Sequence, residues 1–136
     1  MKADNPYNKY RQNAVMTATQ PQLAEMLFGG AVKFIRQAIT HVEDKNIQEA
    51  HNAIIRAQGI FEYLAETLNE KVDISFNLAH LYDYAHQRLL EANVAKDAEI
   101  LKEVLGLAEN LRETWHEARQ KAAGEAEHAD NADKLV

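Results

Sequence analysis

The sequence predicts an all-α protein: an antiparallel up-down-up-down four-helix bundle with an extended N-terminal segment and a disordered acidic C-terminal tail. Strong helix formers (Ala, Leu, Glu, Gln, Lys, Arg) dominate the chain. Only two prolines and five glycines punctuate its 136 residues, few for a sandwich or barrel. Apolar residues recur at three- and four-residue spacing in four stretches, with short joins that favour antiparallel neighbours. A chain of this length is most simply one domain, burying roughly two-thirds of its unfolded surface. The expected division is an N-terminal segment over 1–18, the bundle over 19–123 and the tail over 124–136.

The first helix opens at "TQPQLAEML". Thr19 is placed to cap it, Gln22 stands three residues on as in a capping box, and Pro21 fits the first turn. Leu23, Met26, Leu27, Gly30, Ala31, Phe34, Ala38 and Val42 then share one face, and charge at "VEDKN" ends the helix. Asn46 with Glu49 suggests a second box. Behind it Ile47, Ala50, Ile54, Ala57, Phe61, Leu64 and Leu68 form a stripe that "NEKVD" interrupts. Asp73 is the expected cap of the third helix, with Leu78, Leu81, Tyr82, Ala85, Leu89 and Ala92 inward. Asn93 is its expected C-terminal cap, because asparagine tolerates the left-handed conformation best after glycine. Asp97 begins the fourth helix, which carries Leu101, Val104, Leu105, Ala108, Leu111, Trp115 and Ala118. From Gly124 the apolar period is lost in "GEAEHADNADKLV".

A net charge of −6 argues against general nucleic-acid binding, which needs clustered positive charge to displace counterions. With no cysteine, disulfides, thiolate nucleophiles and cysteine-ligated metals are excluded. The start of the chain lacks the apolar stretch of a signal peptide, and the longest apolar run, "MLFGGAV", is far too short for a membrane span. A cytoplasmic protein is expected.

Four-helix bundles often house metals through inward Glu-x-x-His pairs. Glu113 with His116 has that spacing, as does Glu125 with His128 in the tail. Leu111 and Trp115 set the buried face, however, and Glu113 lies about 200° from each at 100° per residue, toward solvent. No acidic residue interrupts a stripe. "FGG" follows no strand and lacks the lysine of a phosphate loop, and Ser75 has no supporting triad. No catalytic residue, metal or cofactor is expected. What remains is surplus apolar surface. Phe28, Ile55, Ile60, Tyr63, Tyr84 and Leu90 lie off the core stripes and suggest external grooves for an amphipathic or extended peptide. A structural or oligomeric protein is the competing reading.

"NPYNKYRQNAV", "LAEMLFGGAVKFI", "VDIS", "LYDYAHQRLLEAN" and "LRETWHE" occur in this order, and the set resembles the flagellin-export chaperones of the FliS family from about Asn5 to Ala118. The resemblance implies a small cytoplasmic bundle without catalytic activity. Such a bundle binds the disordered C-terminal segment of flagellin, prevents premature polymerisation and delivers it to the flagellar type III export gate. It also implies that the N-terminal segment, with Tyr7 and Tyr10, covers part of the client site and moves aside; the alternative is that the two tyrosines complete the core permanently. Client-binding candidates are Tyr7, Tyr10, Phe28, Ile55, Ile60, Tyr63, Tyr84, Arg88 and Asn93. Arg88 either meets client carbonyls or pairs with Asp83 or Glu91. Tyr82, Leu89 and Trp115 are assigned to the core. The chain departs from the family pattern at Thr17-Ala18-Thr19-Gln20, where Pro21 is displaced by one. It also has Phe28 for a frequent tyrosine and Gly29 for a frequent Asp or Asn. A monomer or homodimer is expected, and an adaptor for another secreted or regulatory partner is the alternative function.

Overall fold

The computed structural model describes residues 19–68 and 75–134. Residues 1–18, with Tyr7 and Tyr10, and the expected cap Asp73 lie outside them. Four helices follow in order: α1 (Gln20–Glu43), α2 (Ile47–Glu66), α3 (Ser75–Ala95) and α4 (Ala98–Lys134). Helix α1 packs on α2 and α4, and α3 packs on α2 and α4, which closes the four-helix bundle that the periodicity predicts.

The joins explain the boundaries. The Gln22 amide donates to Thr19 Oγ1 at 3.3 Å, and the Thr19 amide donates to Gln22 Oε1 at 3.0 Å, so the expected capping box forms. The box expected at Asn46 does not form: Asn46 occupies the N-cap of α2 without a side-chain cap bond. Its backbone is already committed to ending α1. Lys45 turns to φ 60° and the Asn46 amide donates to the carbonyl of His41 at 2.8 Å, the six-residue closure of a Schellman turn. That turn leaves Asn46 at ψ 80°, short of the extended conformation that caps favour.

The same closure ends α3, where Lys96 adopts φ 50° and the Asp97 amide donates to Ala92 at 3.1 Å. Asn93 is therefore not the cap, as expected from its residue type; it lies inside the helix and is buried. Asp97 does begin α4, its Oδ1 accepting from the Glu99 amide at 2.9 Å. Helix α4 runs for 37 residues, through the stretch from Gly124 that the sequence reading assigned to a disordered tail. Loss of the apolar period removes packing, and Lys121 to Glu125 are indeed exposed. It does not remove helix propensity, which alanine and glutamate sustain there.

The core is a single cluster, with Phe28, Val32, Ile35, Ile54, Phe61, Leu89, Leu101 and Val104 shielded from solvent. On α1 the buried stripe is rotated from the expected one. Phe28, Ala31, Val32, Ile35 and Ala38 face inward, while Met26 is exposed and Leu27 and Phe34 are only partly covered. Apolar residues on both sides of that line make either register acceptable by pattern. A Cβ on Gly30 would stand 3.2 Å from Ile60 Cδ1, so the glycine allows α1 and α2 to approach closely. Leu81, expected inward on α3, is exposed.

An aromatic row crosses the interior. Phe61 on α2 meets Tyr82 on α3 (ring centroids 6.2 Å apart), Tyr82 meets Phe28 on α1 (6.2 Å), and Phe28 meets Trp115 on α4 edge-on at 5.9 Å. All four helices are tied through these tilted and edge contacts. Trp115 Nε1 donates to the Pro21 carbonyl at 2.9 Å, and Glu25 pairs with His116 and Arg119 beside it. The start of α1 is thereby clasped to α4.

Candidate functional site

Two of the candidates that should lie outside the core do not. Phe28 is fully buried, and Ile60 is half-buried against Gly30. Phe28 is covered by Tyr82 of α3 and Trp115 of α4, and Ile60 by the close approach of α1 at Gly30. Ile55, Tyr63 and Tyr84 are exposed as expected.

Tyr84 and Arg88 belong to the α3–α4 side. Arg88 grips Glu103 with two parallel bonds of 3.1 Å and Glu91 with one of 2.5 Å; Asp83 is not its partner. The Tyr84 hydroxyl donates to the same Glu103 at 2.5 Å. The hydrogen bond from Arg88, reinforced by the one from Tyr84, lowers the Glu103 pKa, and the bond to Glu103 raises that of Tyr84. The guanidinium is thus committed to an intramolecular network. Next to it the outer face of α3, with Asn77, His80, Leu81, Tyr84 and Gln87, borders an open concavity of about 760 Å³.

Ile55 and Asn93 meet on a different face, the seam between α2 and α3. The Asn93 Nδ2 donates to His51 Nδ1 at 3.0 Å, and Lys96 Nζ donates to Asn93 Oδ1 at 2.8 Å and to its carbonyl at 2.6 Å. Eleven residues along α2, Glu62 Oε1 lies 2.7 Å from His86 Nε2. Between these two polar ties run Ile55 and Gln58 on α2. Ile55 follows His51 by four residues, and Gln58 precedes Glu62 by four, which aligns all four on the α3-facing side. Leu90 answers from α3, four residues after His86 and three before Asn93.

Ile55 and Leu90 are each 48% exposed, whereas Gln58 is only 6% exposed. The seam continues into a notch of about 170 Å³ lined by Phe61, Glu62, Ala65, Tyr82, Asp83 and His86. Burial pushes the Tyr82 hydroxyl up to about 12. Nothing in the sequence singles out Gln58 or Tyr82, since glutamine is an ordinary surface helix former and Tyr82 fits the core stripe. Among the described residues no three His, Asp or Glu side chains are grouped to hold a metal, and no helix is long and apolar enough to cross a membrane.

The family model of the flagellar protein FliS matches residues 3–122. The chain belongs to the FliS family. The flagellar secretion chaperone FliS of Bacillus subtilis is 38% identical over 120 residues, covering 88% of this chain and 90% of that protein. Its Salmonella typhimurium counterpart is 36% identical, over 82% of this chain and 85% of its own length. The fold is shared with a crystal structure of a bacterial flagellar chaperone at TM-score 0.71 and 18% identity, covering 85% of this chain and 95% of that one. FliS is a chaperone family, not an enzyme family.

Proposed function

We propose that this chain works in the cytosol, where it binds the disordered C-terminal segment of a flagellin. There it prevents premature polymerisation and escorts the client to the flagellar type III export apparatus. The observation that supports this most is unfinished apolar surface on the outside of a closed bundle. Ile55, Leu90, Tyr63 and Tyr84 stay exposed although the core beneath them is complete, in a chain whose relatives are named flagellar secretion chaperones.

Binding removes an assembly surface by mass action and needs no covalent step. A disordered client loses chain entropy as it orders, so a large contact area yields moderate, reversible affinity. Such affinity suits a chaperone that must release its cargo at the export gate. In this reading Ile55, Tyr63 and Tyr84 contact the client directly, and Asn93 borders its path. Phe28 and Ile60 support the helices from inside, and Arg88 holds α3 to α4. Residues 1–18, with Tyr7 and Tyr10, cover part of the client surface until flagellin displaces them.

Calorimetric titration with a flagellin C-terminal peptide tests the assignment. Saturable binding is expected, and no heat at tens of micromolar peptide rejects it. Binding to a different export substrate alone would make the chain an adaptor. Removing residues 1–16 is expected to change the affinity while leaving the helical content intact.

A further inference from the structure

Two polar side chains in the α2–α3 seam are nearly buried and yet bond to no protein group among the described residues. Gln58 is 6% exposed and Tyr82 is 2% exposed. The Gln58 amide and the Tyr82 hydroxyl make no hydrogen bond among the described residues, while their neighbours His51, Glu62, His86 and Asn93 all do. Even so, no side-chain nitrogen or oxygen there is both fully enclosed and unpartnered. The little surface that each residue retains is therefore at its polar tip. Gln58 lies on the α3-facing side of α2 by its spacing from Glu62, and Tyr82 lines the adjoining notch.

Because both tips reach solvent, water meets them in the free protein, and an apolar residue of the same size would fill the space as well. The seam thus carries polarity that the free bundle does not use. A primary amide is donor and acceptor at once, the complement of the N–H and C=O that one extended residue presents to the same side. The flanking Ile55 and Leu90 offer apolar rails on either side.

We propose that Gln58 and Tyr82 are main-chain anchors for the client, the Gln58 amide pairing with the N–H and C=O of one extended residue and the Tyr82 hydroxyl donating to a carbonyl further along the seam. This rests on the flagellin reading above. It adds a conformational requirement. A peptide within a helix has its main-chain groups already bonded to one another, so the client crosses this seam extended, or at the frayed end of a helix. Ile55 and Leu90 then take client side chains that leave the strand on alternate sides.

The test is titration of a flagellin C-terminal peptide against the wild-type chain, Gln58→Met and Tyr82→Phe. Each variant keeps volume and removes only polarity. Each should bind at least about fivefold more weakly, the net value of one hydrogen bond for Tyr82 and of up to two for Gln58, while the free protein melts at the same temperature or higher. A merely structural role would lower both affinity and melting temperature, and would overturn the inference. So would unchanged affinity in both variants beside a wild type that binds, which leaves the flagellin reading intact. Absence of wild-type binding would remove that reading, and this one with it. Replacing client amides one at a time by esters adds a second measurement. One ester should weaken binding to the wild type but not to Gln58→Met, and the lack of any such position would refute the main-chain contact.

Discussion

Helix α2 meets two neighbours and finishes the two contacts differently. Toward α1 the seam is closed: Gly30 lets Ile60 lie against the α1 backbone, and Arg56 covers the Phe34 ring at 5.7 Å. Toward α3 the seam is held at intervals by His51–Asn93 and Glu62–His86, with Ile55 and Leu90 half-exposed and Gln58 without a hydrogen-bond partner among the described residues. One helix of ordinary amphipathic character thus has a face built for stability and a face left incomplete. The incomplete face carries apolar side chains that the core does not need.

The largest expected effect tests whether the closed side bears the stability. Phe28→Ala removes the ring that joins Tyr82 to Trp115 and should cost about 3–5 kcal/mol, read from urea denaturation. A loss below about 1 kcal/mol would mean that the aromatic row is not a pin of the core. The next compares the two sides directly. Gly30→Val drives branched carbons toward Ile60, and overpacking should cost about 1–3 kcal/mol. Ile55→Ser on the open side should change stability by no more than about 0.5 kcal/mol, yet weaken flagellin binding severalfold in calorimetry. If Ile55→Ser destabilises the bundle as much as Gly30→Val, the distinction between the two faces is wrong.

A pH titration probes the junction of the two sides at Tyr82. Burial raises its pKa from 10.0 to about 12 in the folded state, so the folded protein holds a proton that the unfolded chain releases. Its contribution to stability is complete below pH 10 and disappears as pH rises through 12. Tyr82→Phe should flatten that alkaline loss in thermal melts taken between pH 9 and 12. An unchanged alkaline limb would show that the hydroxyl ionises freely, and so that the notch is wetter than its burial indicates.

The helices themselves were readable because period and caps agree, with Thr19 and Gln22 marking one start and Asp97 another. Failures came where residue type and position conflict. Phe28 sits between two apolar lines on α1, and only the partner helices decide which line turns inward. Asn93 has the chemistry of a cap but stands two residues before the helix ends, facing His51. The continuation of α4 past Gly124 was hidden because apolar period reports packing rather than helix formation. Glu103, the main partner of Arg88, is fifteen residues away on the next helix and has no local signature. Gln58 was invisible for a stronger reason. Its lack of a hydrogen-bond partner among the described residues is a property of the assembled bundle alone.

The smallest effect concerns the two turns that set how α2 and α3 enter and leave their seam. Lys45 and Lys96 both hold left-handed conformations, φ 60° and φ 50°, which cost a residue with a Cβ about 1 kcal/mol. They differ in compensation. Lys96 Nζ bonds the Asn93 carbonyl and Oδ1, whereas no such side-chain bond is made by Lys45 among the described residues. Lys45→Gly should therefore stabilise the protein by up to about 1 kcal/mol in urea denaturation. Lys96→Gly relieves the same backbone strain but frees Asn93 Oδ1 and loosens the His51 tie, so its gain should vanish or reverse. Equal gains at both turns would show that the Lys96 bonds contribute nothing. The polar end of the α2–α3 seam would then be held by the His51–Asn93 bond alone.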